Sequence, residues 1–189
     1  MKLNGLFLAL LFICGVTTAQ TSLFNKGDKV LNLGIGLGSG LYNGGGYTSK
    51  MPAISGSFEA GVVDNVLDKG TIGIGGYVGY SSAKYEYSGY GYSYGWKYSN
   101  IIIGARGTFH YPLVDKLDTY AGLLLGYDVV SSKEIGNWPN ETNYSANSSR
   151  AYLSGFIGAR YYFSDKFAGM LELGSGIAYL TIGVAIKFK

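Results

Sequence analysis

The sequence predicts an all-β fold, an eight-stranded antiparallel up-and-down transmembrane β-barrel. Three observations carry this. Apolar residues alternate with small or polar ones in eight segments between Lys29 and Phe188, and the apolar side of those segments carries no charge. Successive side chains of a strand point to opposite faces, so each segment reads as a strand with one greasy side. The connections alternate in length, as in barrels with short inner turns and longer external loops. Composition agrees: 18 Tyr, 31 Gly, 3 Pro and 14% charged residues favour strands, and no helical periodicity follows the first residues.

The first element is a leader. Lys2 supplies a basic start, Leu6 to Val16 an apolar run, and Thr17-Thr18-Ala19 a small-residue cleavage site before Gln20. The run is too short for a membrane helix, which needs about 20 residues. Residues 1–19 are thus expected to be a signal peptide and residues 20–189 the barrel domain. Cys14, the sole cysteine, falls in the leader, so no disulfide is expected in the mature chain. Lipoprotein processing before Cys14 would need a small residue where bulky Ile13 stands.

Strands are expected at Lys29–Gly38, Ala53–Val63, Thr71–Ser82, Tyr98–Tyr111, Thr119–Val130, Arg150–Phe163, Phe167–Gly174 and Tyr179–Phe188. A membrane-crossing strand needs about 9–11 residues, and the seventh is short by that measure. Asp64–Gly70, Pro112–Asp118 and Ser164–Lys166 read as inner turns. Ser39–Pro52, Ala83–Lys97 and Ser131–Ser149 read as long external loops, and Ser175–Ala178 as a tight one.

The apolar face runs through Leu31, Leu33, Ile35 and Leu37, then Ile54, Phe58, Ala60 and Val62, and so on to Ile182, Val184, Ile186 and Phe188. The other face carries Glu59, Arg106, Arg160 and Glu172 with Asn32, Ser57, Thr108, Asp128 and many glycines. In a soluble barrel those glycines would face water and weaken the strands without packing. In an eight-stranded lumen they leave room for Arg and Tyr. The apolar face is therefore assigned to lipid. Tyr80, Phe109, Tyr111, Tyr127, Tyr161, Phe163 and Phe188 fall near strand ends, where interfacial aromatic girdles belong.

Several segments now resemble one family. Arg106 to Pro112 (RGTFHYP), Leu117 to Gly122 (LDTYAG), Gly158 to Phe163 (GARYYF), Leu171 to Gly174 (LELG) and Ile182 to Phe188 (IGVAIKF) resemble the small outer-membrane β-barrel family of OmpA/OmpX type, in its Bacteroidetes form. The likeness spans essentially all of residues 20–189, and its motifs are architectural. It implies a bacterial outer-membrane location, contact with outer-membrane lipid, and the barrel assembly machinery and periplasmic chaperones as partners in biogenesis. Family members often finish on the aromatic itself, whereas here Lys189 follows Phe188.

Glu59, Arg106, Arg160 and Glu172 lie on four strands near mid-barrel, and each needs a partner, because desolvating a lone charge costs several kcal/mol. Two readings stand: a structural ion-pair network that fills the lumen, or the selectivity ring of a narrow porin for ions or very small solutes. An eight-stranded lumen favours the first. His110, the one histidine, sits at the inner end without a legible catalytic relay. One His and no mature Cys leave transition metals almost no ligands. Gly34-Ile-Gly-Leu-Gly and Gly73-Ile-Gly-Ile-Gly lack the spacing of a phosphate loop. Asp64, Asp68, Asp115, Asp118 and Asp165 read as solvated turn formers. No catalytic residue, cofactor site or metal site is assigned. A net charge of +3 with no basic patch excludes a nucleic-acid partner. The second long loop holds Tyr85, Tyr87, Tyr90, Tyr92, Tyr94, Trp96 and Tyr98. Such a series suits either a docking surface for a surface ligand or cross-strand packing that holds a hairpin together. The expected protein is a monomeric, non-catalytic outer-membrane barrel serving envelope integrity or surface interaction, with the narrow porin as the alternative.

Overall fold

Within a bilayer every backbone N–H and C=O must find its partner inside the protein, and a closed barrel is the way strands achieve this. The computed structural model describes residues 22–38, 41, 46–89, 91–136 and 145–188. It shows eight strands: β1 Lys29–Leu37, β2 Ser49–Val66, β3 Gly70–Gly89, β4 Tyr92–Val114, β5 Leu117–Gly136, β6 Ser145–Tyr162, β7 Phe167–Gly174 and β8 Leu180–Phe188. Each pairs antiparallel with its neighbours in sequence, and β1 closes the ring on β8 from Lys29–Phe188 to Leu37–Leu180. The expected fold is the observed one. The leader, Tyr90 and Lys189 lie outside the described residues.

Polarity is inverted relative to a protein folded in water. Leu125, Ile103 and Ile74 point outward, each more than half exposed, while Glu59, Asp128 and Arg160 point inward at 0% exposure. Inward glycines make this feasible. Gly158 lies under the Tyr120 ring, which a Cβ there would strike.

The strands differ from expectation at their outer ends. β2 to β6 run well past the expected boundaries, and Ala83–Lys97 is not a loop but the far half of the β3–β4 hairpin, paired residue by residue out to Gly89 and Tyr92. Tyr and Trp at alternate positions sustain cross-strand pairing beyond the bilayer, so the lipid boundary does not end the strand. Gly91, with φ of 83°, helps turn the tip. The outer rim is therefore uneven: β3 to β6 form a wall, whereas β7 and β8 are 8 and 9 residues long.

One assignment to the lipid face is corrected. A bulge between Gly61 and Val63 shifts the alternation by one residue, so Val63, not Val62, stands opposite Ile72 and is exposed. A second irregularity between Met51 and Ile54 accommodates Pro52, which could not donate to a regular ladder.

The inverted polarity sets an expected outcome. Leu125 faces outward between Ala105 and Leu153. Leu125→Arg should lower the free energy of folding into phosphatidylcholine vesicles by about 2–4 kcal/mol, and Asn147→Arg, outward but beyond the apolar belt, by at most about 1 kcal/mol. Urea titration of refolding measures both, and equal effects would contradict a lipid-facing Leu125.

Candidate functional site

The lumen is built in layers. Arg160, near the end of β6, is fully buried and reaches three other strands. Its Nη2 donates to Glu59 on β2. Its Nη1 donates to Asp118 Oδ2 on β5 at 3.1 Å, and its Nε to Asn32 Oδ1 on β1 at 3.0 Å. Tyr120 lies 4.6 Å from the guanidinium carbon. Arg106 forms a second centre: Nη2 donates to Glu172 Oε2 at 2.8 Å and Nη1 to Ser57 Oγ at 3.1 Å, with the Phe156 ring 4.0 Å away. Tyr120 Oη also donates to Glu172 Oε2, at 3.1 Å. Asn32 Nδ2 donates to the same Ser57 hydroxyl at 3.0 Å, so the two arginine centres form one network.

His110 belongs to this network. Its Nδ1 lies 2.9 Å from Asp118 Oδ1 and its Nε2 3.0 Å from Thr108 Oγ1. Thr108 donates its hydroxyl proton to Glu59 Oε2 at 3.0 Å, so toward His110 it can only accept. A carboxylate likewise accepts. Arg106 and Arg160 lie against Glu59, Asp118 and Glu172, and His110 bridges Asp118 to Thr108. Two earlier assignments need correction. Asp118 is not a solvated turn former: at 3% exposure it points into the lumen. His110 does have Asp and Thr neighbours. That trio resembles a catalytic relay in outline, but His110 is 1% exposed, with Phe24 stacked 4.2 Å from it.

Apolar layers flank the charges. On the inner side Phe24, Val30, Tyr162, Ala168 and Ala185 pack together with Leu23 against them. On the outer side Ala53, Ile102, Tyr120, Leu124, Phe156, Ile177 and Ala178 do the same. Ile177 and Ala178 come from the tight β7–β8 connection folded over the mouth. Beside Arg106 and Glu172 this packing leaves a cavity of about 20 Å³, room for one water. Farther out, Asp128 on β5 accepts from Asn100 Nδ2 at 2.6 Å and from Arg150 Nη2 at 2.8 Å.

Above the lumen the aromatic series lies on one side of the β3–β4 hairpin. Tyr85 stands opposite Trp96, Tyr87 opposite Tyr94, and Ala83 opposite Tyr98. Alternation places them on the lumen-facing side of the wall, over the barrel mouth. Trp96 Nε1 donates to Tyr94 Oη at 3.1 Å, and Tyr98 meets Tyr47 edge-on with centroids 6.4 Å apart. Tyr85, Tyr87, Tyr92 and Tyr94 remain exposed. Tyr90 lies outside the described residues. Among the described residues no group of three or more His, Cys, Asp or Glu is arranged to hold a metal ion.

No family model matches this sequence, and no curated protein matches it. Solved structures do. Ail, the attachment invasion locus protein of Yersinia pestis, solved in complex with the heparin analogue sucrose octasulfate, aligns with a TM-score of 0.52 and 13% identity over 86% of this chain and 99% of that one. The chain has the fold of the small OmpA/OmpX-type barrels. The N-terminal β-barrel domain of Pseudomonas aeruginosa OprF aligns with a TM-score of 0.49 and 13% identity over 87% of this chain and 98% of that one.

Of the residues singled out from sequence, Arg106 meets Glu172 and Arg160 meets Glu59. Asp118, His110, Asn32 and Ser57 were not assigned to that network. The two apolar layers are not among the sequence-based expectations: Ile102, Leu124 and Phe156 point inward because they alternate with the lipid-facing residues, whereas Phe24 precedes the first strand, where no pattern marks it. A charge reversal tests the layer. Arg106→Glu should lower stability by about 3–5 kcal/mol, because it sets two carboxylates together out of water. Adding Glu172→Arg should restore part of that, as read from urea midpoints in vesicles.

Proposed function

We propose that this chain is a monomeric, non-catalytic barrel of the bacterial outer membrane with a closed, charge-plugged lumen, and that it works by surface contact through the projecting wall. The observation that carries this reading is the enclosure of the charged layer between two apolar layers. A pore needs its charges wetted along a continuous path, and the packing around Arg106 and Glu172 leaves room for about one water. With the interior occupied, the exposed rings of Tyr85, Tyr87 and Tyr94 on the wall can meet a partner. Tyrosine suits this role, giving broad, rigid contact with a polar tip. Ail, similar in fold, is named for attachment and was solved with a heparin analogue. The cross-linked lumen supplies a stiff support, which also serves envelope integrity. Residues 1–19 act as the cleaved leader on export, and periplasmic chaperones and the barrel assembly machinery insert the rest.

The first test is single-channel conductance of the refolded chain in a planar bilayer, with folding verified by a heat-modifiable gel shift. A folded but silent barrel is expected. Steady ion-selective steps would overturn the closed lumen and establish the narrow porin, with Glu59, Arg106, Arg160 and Glu172 as its lining. For the wall, Tyr87→Ser, Tyr92→Ser and Tyr94→Ser combined should reduce adhesion of displaying cells to glycan- or protein-coated surfaces by about tenfold or more, since interface aromatics often contribute over 1 kcal/mol each. Unchanged adhesion with an intact gel shift would remove the wall from the function.

A further inference from the structure

The outward side of the same wall carries a different chemistry. Its rows can be followed strand by strand across β3, β4 and β5. Tyr80, Ile101 and Val129 stand opposite one another and end the apolar belt. Two residues farther out, Ser82, Ser99 and Ser131 form the next row. Two residues beyond that, Lys84 pairs with Lys97 and Lys97 with Lys133. Three lysines thus occupy consecutive, directly opposed positions on one face.

Directly opposed side chains have Cβ atoms about 4.5–5.5 Å apart, and like charges so placed are destabilising. Among the described residues none of the three ammonium groups makes an ion pair. Glu86 shares the face but lies one row farther out, opposite Gly95, and Glu134 stands opposite Trp96 on the inner side. Lys84 and Lys133 are exposed and Lys97 half-buried.

Height bears on where a counter-charge could come from. Strands rise about 3.3 Å per residue and lean about 35–45° in such barrels. The serine row therefore lies about 5 Å and the lysine row about 10 Å beyond the last apolar row. That is the headgroup zone of a bilayer, and lysine stems can bend a charge toward it. We propose that Lys84, Lys97 and Lys133, with Ser82, Ser99 and Ser131 beneath them, form a binding site for the phosphate-bearing headgroup of an anionic outer-leaflet lipid. The lysines meet the phosphate oxygens, and the serine hydroxyls donate to the ester and sugar or glycerol oxygens below. This site rests on the reading that the barrel spans the outer membrane with its wall outward.

The test compares the full chain with a Lys84→Gln, Lys97→Gln, Lys133→Gln variant, each folded into vesicles of phosphatidylcholine with and without phosphatidylglycerol. Native mass spectrometry then counts the lipid each retains. Wild type should retain phosphatidylglycerol over phosphatidylcholine, and the triple variant should lose that retention by about tenfold or more. A matched variant at the opposite rim, Lys69→Gln, Lys116→Gln, Lys166→Gln, should keep it. Equal retention by wild type and the first variant, or equal loss in both variants, would overturn the site. Displacement of the lipid by excess inorganic phosphate would overturn the lipid assignment in favour of a free-anion site. Failure of every protein to enter vesicles would instead overturn the membrane-spanning reading, and the site with it.

Discussion

A guanidinium shut away from water stays charged only where the protein supplies every counter-charge and acceptor itself. Arg160 is in that position, and its partners Asn32, Glu59 and Asp118 come from three other strands. Much of the structure is subordinate to that demand. Strands β1 and β2 must arrive at one height opposite β5 and β6, which fixes their register across the lumen as firmly as the ladders do between neighbours. Glycine at position 158 keeps the place where the Tyr120 ring lies against the arginine. His110 bridges Asp118 and Thr108, and Phe24 closes the layer from below.

A soluble domain is organised by expulsion of apolar groups from water; here that force acts chiefly on the outside. The interior is held by charge-assisted hydrogen bonds, which strengthen as the surroundings become less polar. The two apolar layers are then not a conventional core. They flank the ion pairs on the inner and outer sides of the lumen. Removing one member leaves the others buried and unmatched, a heavier loss than the net contribution of the pair.

Period-two alternation is visible in sequence because lipid imposes it on every strand, and so strand number, order and lipid face could be read from the residues, down to Leu125 and Ile103. Three things could not. The bulge at Gly61–Val63 changes parity without changing composition, so Val62 and Val63 were exchanged. The outer limits of β3 and β4 depend on tyrosine pairing above the membrane, where the rule that marks a strand no longer applies. The partners of Arg160 depend on shear between strands far apart in the chain: 128 residues separate it from Asn32. Asp118 shows the same limit, since a carboxylate next to a turn looks solvated until its direction is known.

The wall over β3 to β6 and the low rim at β7 and β8 deprive the molecule of rotational symmetry about the membrane normal. A barrel with an even rim can spin in the bilayer without altering what it offers to the outside; this one has a heading. Tyr87 and Tyr94 look across the mouth toward the low rim, and the lysines look the other way, along the membrane. A large object descending from outside would meet the rings from one bearing, with the proposed lipid site at the back. Wherever neighbours or bound lipid slow its rotation, the protein becomes directional in the plane of the membrane.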